Sequence, residues 1–187
     1  MVNPELSILI CHTAGREGAF GRLHRILRPQ LARHQGVVEM LVMKDRGELT
    51  IGAKRNQLLQ QAAGRYTVFI DDDDLVHQSY IDLILTEIQQ APEVDCVGIK
   101  GVITNGRDRR MNPRPFIHDL TIREWHEQGG VYYRPPNHLN PVLAIHSKTT
   151  EFPAIDFGED KAWADALLPK LKTQRRIHEP IYFYLAA

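Results

Sequence analysis

The sequence contains very little cysteine: Cys11 and Cys96 are the two cysteines among its 187 residues. Each lies in an apolar segment, which is typical of separate, buried and reduced thiols rather than of a disulfide or a paired metal site. The chain also lacks net charge, because 23 Lys and Arg residues balance 23 Asp and Glu residues. Sequence-independent binding of nucleic acid depends on clustered positive charge. The composition therefore argues against a disulfide-stabilised scaffold and against a general polyanion binder.

Long apolar runs are missing as well. No segment approaches the roughly 20 apolar residues that cross a membrane, and the first residues contain no basic segment of the kind that begins a secretion signal. These absences predict a soluble, cytoplasmic protein. The chain is 43% hydrophobic and 25% charged, which is ordinary globular usage, and its length suits one domain with its own core.

Two common nucleotide-binding motifs are absent. Gly15-Arg16-Glu17-Gly18 follows the first apolar run, but it fits neither Gly-x-x-x-x-Gly-Lys-Ser/Thr nor Gly-x-Gly-x-x-Gly. A P-loop nucleotidase and a Rossmann dehydrogenase are therefore not supported.

The sequence does contain a regular alternation of two hydrophobic patterns. Short, nearly continuous apolar runs predict buried strands, and apolar residues three or four positions apart predict helices. In the first half the predicted strands cover 7–11, 37–43, 66–70 and 94–103, and the predicted helices cover 19–34, 51–63 and 80–90, with Pro29 expected to kink or divide the first helix. In the second half we predict a loop over 105–115, helices over 122–128 and 161–168, and strands over 142–145 and 181–184. This order predicts an α/β fold with a mainly parallel central sheet flanked by helices, in which ligands bind beyond the carboxyl ends of the strands.

Four consecutive carboxylates, Asp71 to Asp74, follow directly after the third predicted strand. Like charges repel one another more strongly as water is excluded, so this run calls for a neutralising positive charge. Mg²⁺ or Mn²⁺ would supply it, since these ions prefer oxygen ligands and bind through one or two carboxylates together with substrate phosphates. The alternative is a solvated acidic turn that caps the next helix. The position at the ligand-binding edge of the sheet favours the metal.

Three other positions each allow two interpretations. Glu159-Asp160 opens a helical segment, where a carboxylate is either a helix cap or a general base for an incoming hydroxyl. His178 is either a metal ligand or a surface imidazole. Gly52 to Asn56 begins a predicted helix with two cations, a pattern that suits a phosphate group but also occurs at a solvated helix start.

A set of segments follows in a particular order along the chain: Ser7-Ile8-Leu9-Ile10 with Thr13 and Arg16, Val42 to Asp45, Gly52 to Asn56, Gly64 to Asp74, Phe157-Gly158-Glu159-Asp160, and Ile177 to Tyr182. Their order resembles family 2 glycosyltransferases of the GT-A fold. The resemblance implies a single GT-A domain over residues 1–187, with a nucleotide-sugar-binding half over about 5–103 and an acceptor half over about 104–187.

The resemblance also implies roles for the matching residues. Asp71 and Asp73 would form an Asp-x-Asp motif in which Asp73 binds Mn²⁺ or Mg²⁺, and the alternative frame of Asp72 and Asp74 stays open. Asp45 would contact the base of the nucleotide. The residues implied to bind the donor are Thr13, Arg16, Asp45, Arg55, Asp71 and Asp72.

On the acceptor side, the resemblance implies that Asp160 is the catalytic base and that His178 is a further metal ligand, as it is in some members of the family. The sequence thus predicts metal-dependent, inverting transfer of a sugar from a nucleoside-diphosphate sugar, most simply a UDP-sugar, to an acceptor hydroxyl. Two alternatives stay open: a non-catalytic module that binds nucleotide or glycan, and a nucleotidyltransferase.

The acceptor itself is left open by the sequence. Two basic stretches are either solvated faces or contacts to a phosphate-bearing glycan, a lipid-linked acceptor or modified DNA. Their residues are Arg107, Arg109, Arg110 and Arg114 in one, and Lys170, Lys172, Arg175 and Arg176 in the other. Trp125, Tyr132, Tyr133 and Trp163 either stack on a sugar ring or pack in the core. Whether the chain forms a homo-oligomer is also left open.

Overall fold

A computed structural model describes residues 3–105 and 113–186 of the chain. Its strands are β1 (Leu6–Thr13), β2 (Val38–Asp45), β3 (Tyr66–Phe69), β4 (Leu75–Val76), β5 (Cys96–Asn105), β6 (Arg114–His118), β7 (His126–Gln128), β8 (Val131–Arg134), β9 (Val142–Leu143) and β10 (Gln174–Ala186). Its α-helices are α1 (Glu17–Arg33), α2 (Ile51–Gln61), α3 (Tyr80–Gln90), α4 (Ala144–Ser147) and α5 (Glu159–Leu167). No helix among the described residues is long and apolar enough to span a membrane.

The strands form one sheet in the order β2-β1-β3-β9-β5-β6-β8-β7, with β10 beside both β5 and β4. The pairs β1–β2, β1–β3, β5–β10 and β6–β8 are parallel. The short strands β4, β7 and β9 are antiparallel to their neighbours, and so is β6 to β5. The predicted α/β fold with a mainly parallel central sheet flanked by helices is confirmed.

Strand β1 shows why the sheet carries helices on both faces. Leu6, Ile8 and Ile10 belong to the core cluster that includes the apolar faces of α1 and α3, whereas Leu9 and Cys11 belong to the cluster that includes α2 and α5. Successive side chains of a strand point to opposite faces. A strand that is covered on both faces must therefore be apolar at nearly every position, as this one is.

Both cysteines are buried and free, as predicted. Burial raises the pKa of the Cys11 thiol to about 12, so this thiol stays protonated at neutral pH and packs as a small apolar group.

Several predicted elements differ from the structure. Residues 122–128 do not form a helix, because their last part is β7, which turns at Gly129-Gly130 into β8. The φ angles of these glycines are +60° and +78°, which suit a two-residue hairpin rather than a helix end. Residues 142–145 are divided between β9 and α4. Pro29 does not divide α1, and β10 begins well before the predicted residue 181.

Gly52 allows α2 to approach the segment that leads to α5. A Cβ atom at this position would lie 1.9 Å from the carbonyl oxygen of Pro153, so Gly52→Ala must push two backbone segments apart. We expect the substitution to lower the free energy of unfolding by about 1–3 kcal/mol, as overpacked sites do, measured by thermal denaturation.

Gly21→Ala is the matched control for Gly52→Ala. Gly21 lies within α1, where an added Cβ meets no atom within 4 Å, and alanine is the better helix former by roughly 0.5–1 kcal/mol. The control should therefore be slightly stabilised. An unchanged melting temperature for Gly52→Ala would contradict the close packing of α2 on residues 153–155.

Candidate active site

The acidic run, Asp71 to Asp74, forms a turn just beyond the carboxyl end of β3. The backbone N–H of Asp74 donates to the carbonyl oxygen of Asp71 over 3.2 Å. Because β1 and β2 run parallel to β3, the loops that follow all three strands meet at this edge of the sheet. The run therefore lies at the edge where the sequence predicts a ligand site, and its four carboxylates enter different environments.

Arg55 joins Asp71 to Glu159. Its Nη2 atom lies 3.0 Å from Oδ1 of Asp71 and its Nη1 atom 2.7 Å from Oε1 of Glu159, while the guanidinium packs over two aromatic rings. Burial opposes the charge of Arg55, but Asp71 and Glu159 outweigh it and raise the pKa of the guanidinium. Burial also raises the pKa of Glu159, against the opposing effect of Arg55. One buried cation thus connects α2, the acidic run and α5.

His138 is a second partner of Asp71. Its Nε2 atom lies 3.5 Å from Oδ2 of Asp71. Burial on its own would raise the pKa of this carboxyl, but Arg55 and then His138 hold it well below its ordinary value. Asp71 is therefore ionised at neutral pH.

Asp72 and Asp73 share Arg16 but differ in exposure. Asp72 is buried, and its carboxylate lies 2.7 Å from Nδ1 of His12, 2.9 Å from Nη1 of Arg16 and 3.2 Å from the backbone N of Thr13. The side chain of Asp73 is 36% exposed and lies 3.2 Å from the same Arg16 atom. Burial raises the pKa of Asp73, and Arg16 lowers it. Asp73 is the most exposed carboxylate of the run.

Asp74 ties the acidic run to β10. Its Oδ2 atom accepts a hydrogen bond from the Tyr182 hydroxyl at 2.7 Å, and its Oδ1 atom accepts one from the backbone N–H of Leu185 at 2.8 Å. The Tyr182 oxygen in turn accepts from the backbone N–H of Asp71 at 3.1 Å. Burial and the charge of Asp71 raise the pKa of Asp74 to about 8. Tyr182 therefore fixes the turn at both of its ends.

A first cavity of about 740 Å³ opens beside this turn. The predicted donor-binding residues that line it are Thr13, Arg16, Arg55, Asp71 and Asp72, together with the predicted metal ligand Asp73. Asp45 lies outside it, against a neighbouring cavity at the ends of β1 and β2. Lys54 separates the two, since its Nζ atom lies 2.8 Å from Oδ1 of Asp45 and 3.2 Å from Oγ1 of Thr13.

A second cavity, of about 460 Å³, lies on the other side of Arg55 and contains Asp160 in its wall. Gly158, with φ of +82°, makes the sharp turn that starts α5 and points its first carboxylates toward the sheet edge. The two cavities share part of their walls, namely Arg55, Asp71, Asp156, Phe157, Glu159 and Tyr184. Two molecules bound in the two cavities would therefore meet at the Arg55 cluster, with Asp160 available to accept a proton.

His178 is not brought to the acidic run. It lies exposed in β10, within an irregular stretch between Arg176 and Pro180, and it lines neither cavity. Strand β10 reaches the run later, at Tyr182 and Leu185. His178 lies four residues before Tyr182, which is about 13 Å along a strand that rises about 3.3 Å per residue. It is therefore too far away to bind the same metal ion as Asp73.

The two basic stretches have different positions. Arg107, Arg109 and Arg110 lie outside the described residues, whereas Arg114 stacks on the Tyr132 ring and pairs with Glu127. The second stretch holds other parts of the fold together: Arg175 pairs with Glu87 and Arg176 with Asp119, while Lys170 and Lys172 bond backbone carbonyls. Of the two stretches, the side chains that the structure describes, namely Arg114, Lys170, Lys172, Arg175 and Arg176, line neither cavity.

The four aromatic residues considered for stacking on a sugar also have different positions in the fold. Trp163 is buried and stacks on Phe152 in the core, and Tyr133 stacks on His126 in the β7–β8 hairpin. Trp125 lines the second cavity, so it is the one of the four that is placed for a ligand there.

Several site residues were not singled out from the sequence: His12, His118, Arg134, Asn137, His138 and Tyr182. Asn137 and His138 had a usable signal in the sequence, since they are polar residues shortly before the apolar segment that forms β9. In the structure they are 1% and 5% exposed. Tyr182 had none, because its partner Asp74 lies 108 residues away in the sequence.

A metal ion would not find a complete set of ligands in the chain alone. Among the described residues, no group of three or more His, Cys, Asp and Glu side chains is arranged to hold one. Asp73 nevertheless fits a shared ion, because Mg²⁺ commonly binds through one or two carboxylates plus substrate phosphates and water. Its partly exposed carboxylate faces the first cavity.

Comparison with solved structures identifies the fold. Residues 1–349 of S. aureus TarS in complex with UDP-GlcNAc match with a TM-score of 0.70 and 14% sequence identity, over 98% of this chain and 59% of that one. The complex of the same fragment with UDP matches with a TM-score of 0.68 and 14% identity, over 98% of this chain and 61% of that one. The longer S. aureus TarS structure gives a TM-score of 0.68 and 15% identity, over 97% of this chain and 36% of that one. The chain thus has the GT-A fold and spans about three fifths of the TarS fragment.

No curated protein matches the sequence significantly. Residues 40–147 match the family model described as glycosyl transferase family 2. This match runs from β2 to α4 and includes Arg55 and the whole acidic run. The chain therefore belongs to glycosyl transferase family 2.

Proposed function

We propose that the protein transfers a sugar from a nucleoside-diphosphate sugar to an acceptor hydroxyl, with inversion at the anomeric carbon. The observation that carries the proposal is the wall shared by the two cavities, where Asp71, Arg55 and Glu159 form one ion-paired cluster. A donor in the first cavity and an acceptor in the second would meet at this cluster. Family membership and the fold of TarS, whose structures contain UDP-GlcNAc and UDP, support this arrangement.

The first cavity suits the nucleotide and diphosphate of the donor. Arg16 faces this cavity with half of its side chain exposed and can bind phosphate oxygens. Arg55 is already held by two carboxylates, so its proposed role is to position Asp71 and Glu159 rather than to bind the diphosphate freely. Asp45, beyond Lys54, is close enough to this cavity to contact a base that extends from it. A UDP-sugar is the donor that we favour.

Asp73 is the residue that would hold Mn²⁺ or Mg²⁺ together with the donor diphosphate. Such an ion supplies charge neutralisation to a leaving diphosphate. The geometry favours the frame of Asp71 and Asp73, because Asp72 and Asp74 are buried and have their oxygens engaged by His12, Tyr182 and backbone N–H groups. His178 is left out of the proposed site because of its distance.

Asp160 is the proposed general base. It lines the second cavity, beside the shared wall, where it can take the proton from the acceptor hydroxyl as this attacks the anomeric carbon. Attack from the face opposite the leaving diphosphate inverts the configuration of that carbon. Glu159 is bound to Arg55 and buried, so it is the less suitable of the two adjacent carboxylates.

A donor screen tests the proposal. Thermal denaturation of the protein with UDP-, GDP- and dTDP-sugars, each with and without Mn²⁺, should show the largest stabilisation with one UDP-sugar in the presence of the metal, because a ligand that binds the native state stabilises it. The products then distinguish the reaction classes. Release of a nucleoside diphosphate supports glycosyl transfer, release of pyrophosphate indicates nucleotidyl transfer, and binding without turnover indicates a binding module.

Asp73→Asn should remove the metal-dependent part of the donor stabilisation. The amide is a weaker ligand without charge, and we expect metal-supported donor affinity to fall by about 100-fold or more, since changing only the groups around a metal ligand already costs up to about 100-fold. Calorimetric titration of the best donor with and without Mn²⁺ measures this loss. Asp165→Asn, on the exposed face of α5, is the control and should retain the full metal effect. An equal metal effect in both variants would exclude Asp73 as the ligand.

A further inference from the structure

The second cavity contains polar atoms that have no partner. Among the described residues, no hydrogen-bond partner is present for Nε2 of His118, Nε1 of Trp125, Nδ2 of Asn137 or Nδ1 of His138. All four residues line this cavity, and His118, Asn137 and His138 are 1%, 1% and 5% exposed. Buried polar groups are normally hydrogen-bonded. A concentration of such groups around one cavity therefore indicates a polar site, which water fills in the free protein and which a polar ligand can occupy.

Arg134 differs from the other two cations that line this cavity, Arg55 and Lys161, which are paired with carboxylates. Its guanidinium lies over the Trp125 ring, 4.4 Å from the centroid, and 5.9 Å from that of Tyr132. Within the residues that the structure describes, no carboxylate lies within 4.0 Å of Arg134, whereas the other arginines that are buried or partly buried each pair with one: Arg55, Arg65, Arg114 and Arg175. Burial lowers the pKa of Arg134. An arginine that is partly desolvated, fixed on an aromatic ring and unpaired is placed to bind an anion.

The charges around the cavity give it two different ends. Burial, and then Arg134, lower the pKa of His118 to about 3, so His118 is neutral and adds hydrogen bonds but no charge. Asp71 and Glu159 at the shared wall are paired with Arg55. Asp160 lines the cavity, and no cation among residues 3–105 and 113–186 forms an ion pair with it. A ligand would therefore place an anionic group at Arg134 and a hydroxyl at Asp160.

We infer that the second cavity selects an acceptor that carries a carboxylate or phosphate group, bound by Arg134 above Trp125, close to the hydroxyl that is glycosylated. The inference rests on the proposed function, since it takes this cavity as the acceptor side. Arg134 does not line the first cavity but shares the wall of the second with Asp160. The anion therefore belongs to the molecule that meets Asp160 rather than to the donor.

Tryptophan fluorescence of the full chain provides a test that does not depend on turnover. The chain has two tryptophans, and Trp163 is 1% exposed in the core, so quenching by an added sugar reports on Trp125. With UDP and Mn²⁺ present, the protein is titrated with glucose, glucuronate and glucose 6-phosphate. We expect saturable quenching with at least one anionic sugar at about tenfold lower concentration than with glucose, the gain expected from a charge-assisted hydrogen bond.

Variants connect this preference to Arg134. Arg134→Gln should weaken binding of the anionic sugar about tenfold and leave glucose nearly unaffected, and Arg134→Lys should retain part of the preference because it keeps the charge. Arg123→Gln, an exposed change two residues from Trp125, should bind as the wild type does. Comparison of glucuronate with glucose 6-phosphate then shows whether the cavity prefers a carboxylate or a phosphate.

Other outcomes overturn the inference. Equal binding of glucose and both anionic sugars, absence of saturable quenching by either anionic sugar, or an unchanged preference in Arg134→Gln would each do so. Competition between the anionic sugar and UDP would place the anion on the donor side and would also overturn it. Failure of UDP and UDP-sugars to bind the wild type counts instead against the proposed function, and calorimetry with UDP measures that separately.

Discussion

Asp160→Asn is expected to lower the rate at which nucleoside diphosphate is released from the donor by about 10²- to 10⁴-fold, the usual contribution of a general base. The amide cannot accept the proton of the attacking hydroxyl. Nucleotide affinity should stay nearly unchanged, because Asp160 lines the second cavity and not the first. The rate is measured with the donor that stabilises the protein most, and the affinity for UDP by calorimetry.

The same substitution at Asp165 is the control for Asp160→Asn. Asp165 is one turn and a half further along α5, exposed, and paired with Lys161, so Asp165→Asn should keep the wild-type rate to within about twofold, the loss of one exposed ion pair. Full activity of Asp160→Asn would contradict its role as the base. A parallel loss of UDP affinity would show instead that the substitution disturbs the donor side.

Arg55→Met should destabilise the protein strongly. The substitution removes a 3% exposed cation from between Asp71 and Glu159 and leaves Glu159 buried without a partner. Breaking a buried ion pair by removing one partner costs about 3 kcal/mol or more. For a chain of this size, that corresponds to a fall in melting temperature of roughly 6–12 °C. Thermal denaturation in the absence of ligands measures it.

Arg65→Met is the matched control, because Arg65 makes longer, exposed contacts of 3.9 Å to Glu5 and 3.3 Å to Glu93. Exposed ion pairs contribute about 0–1 kcal/mol, so the control should melt within about 4 °C of the wild type. Arg55→Lys keeps the charge but can contact fewer oxygens, so its melting temperature should lie between those of Arg55→Met and Arg65→Met. If Arg55→Met and Arg65→Met melt at the same temperature, the Arg55 cluster does not stabilise the fold.

The first half of the fold could be predicted from the sequence because each element carries its own pattern. Strand β1 is apolar at successive positions since both of its faces are covered, and α3 repeats Ile81, Ile84, Leu85 and Ile88 at helical spacing. The second half lacks such patterns. All three residues of β7 are exposed, so no apolar alternation indicated a strand, and β10 begins with the polar residues Gln174 to Arg176, whose pairing with β5 no local pattern reveals.

The sequence predicts the position of site residues that directly follow a strand. It does not predict ion pairs between residues that are far apart in the chain. The place of Asp71 to Asp74 beyond β3 follows from the apolar run before it. The pairing of Arg55 with Glu159, 104 residues later, does not, because only the folded chain brings α2 and α5 together. The position of His178 away from the acidic run was equally hidden in the sequence, because only the folded chain shows that β10 meets the run at Tyr182 and Leu185.

The link between Tyr182 and the acidic run has a consequence for the order of folding. Tyr182 and Asp74 are 108 residues apart in the sequence, so their contact closes one of the long loops of the chain, and such contacts form late because the entropy of closure opposes them. Until β10 is in place, the run lacks the hydroxyl that orders it, and its carboxylates repel one another in a solvated loop. An intermediate that has already assembled β1 to β3 would therefore be unable to bind a donor productively. The contact of β10 with the acidic run thus completes the sheet and the proposed donor site in the same step.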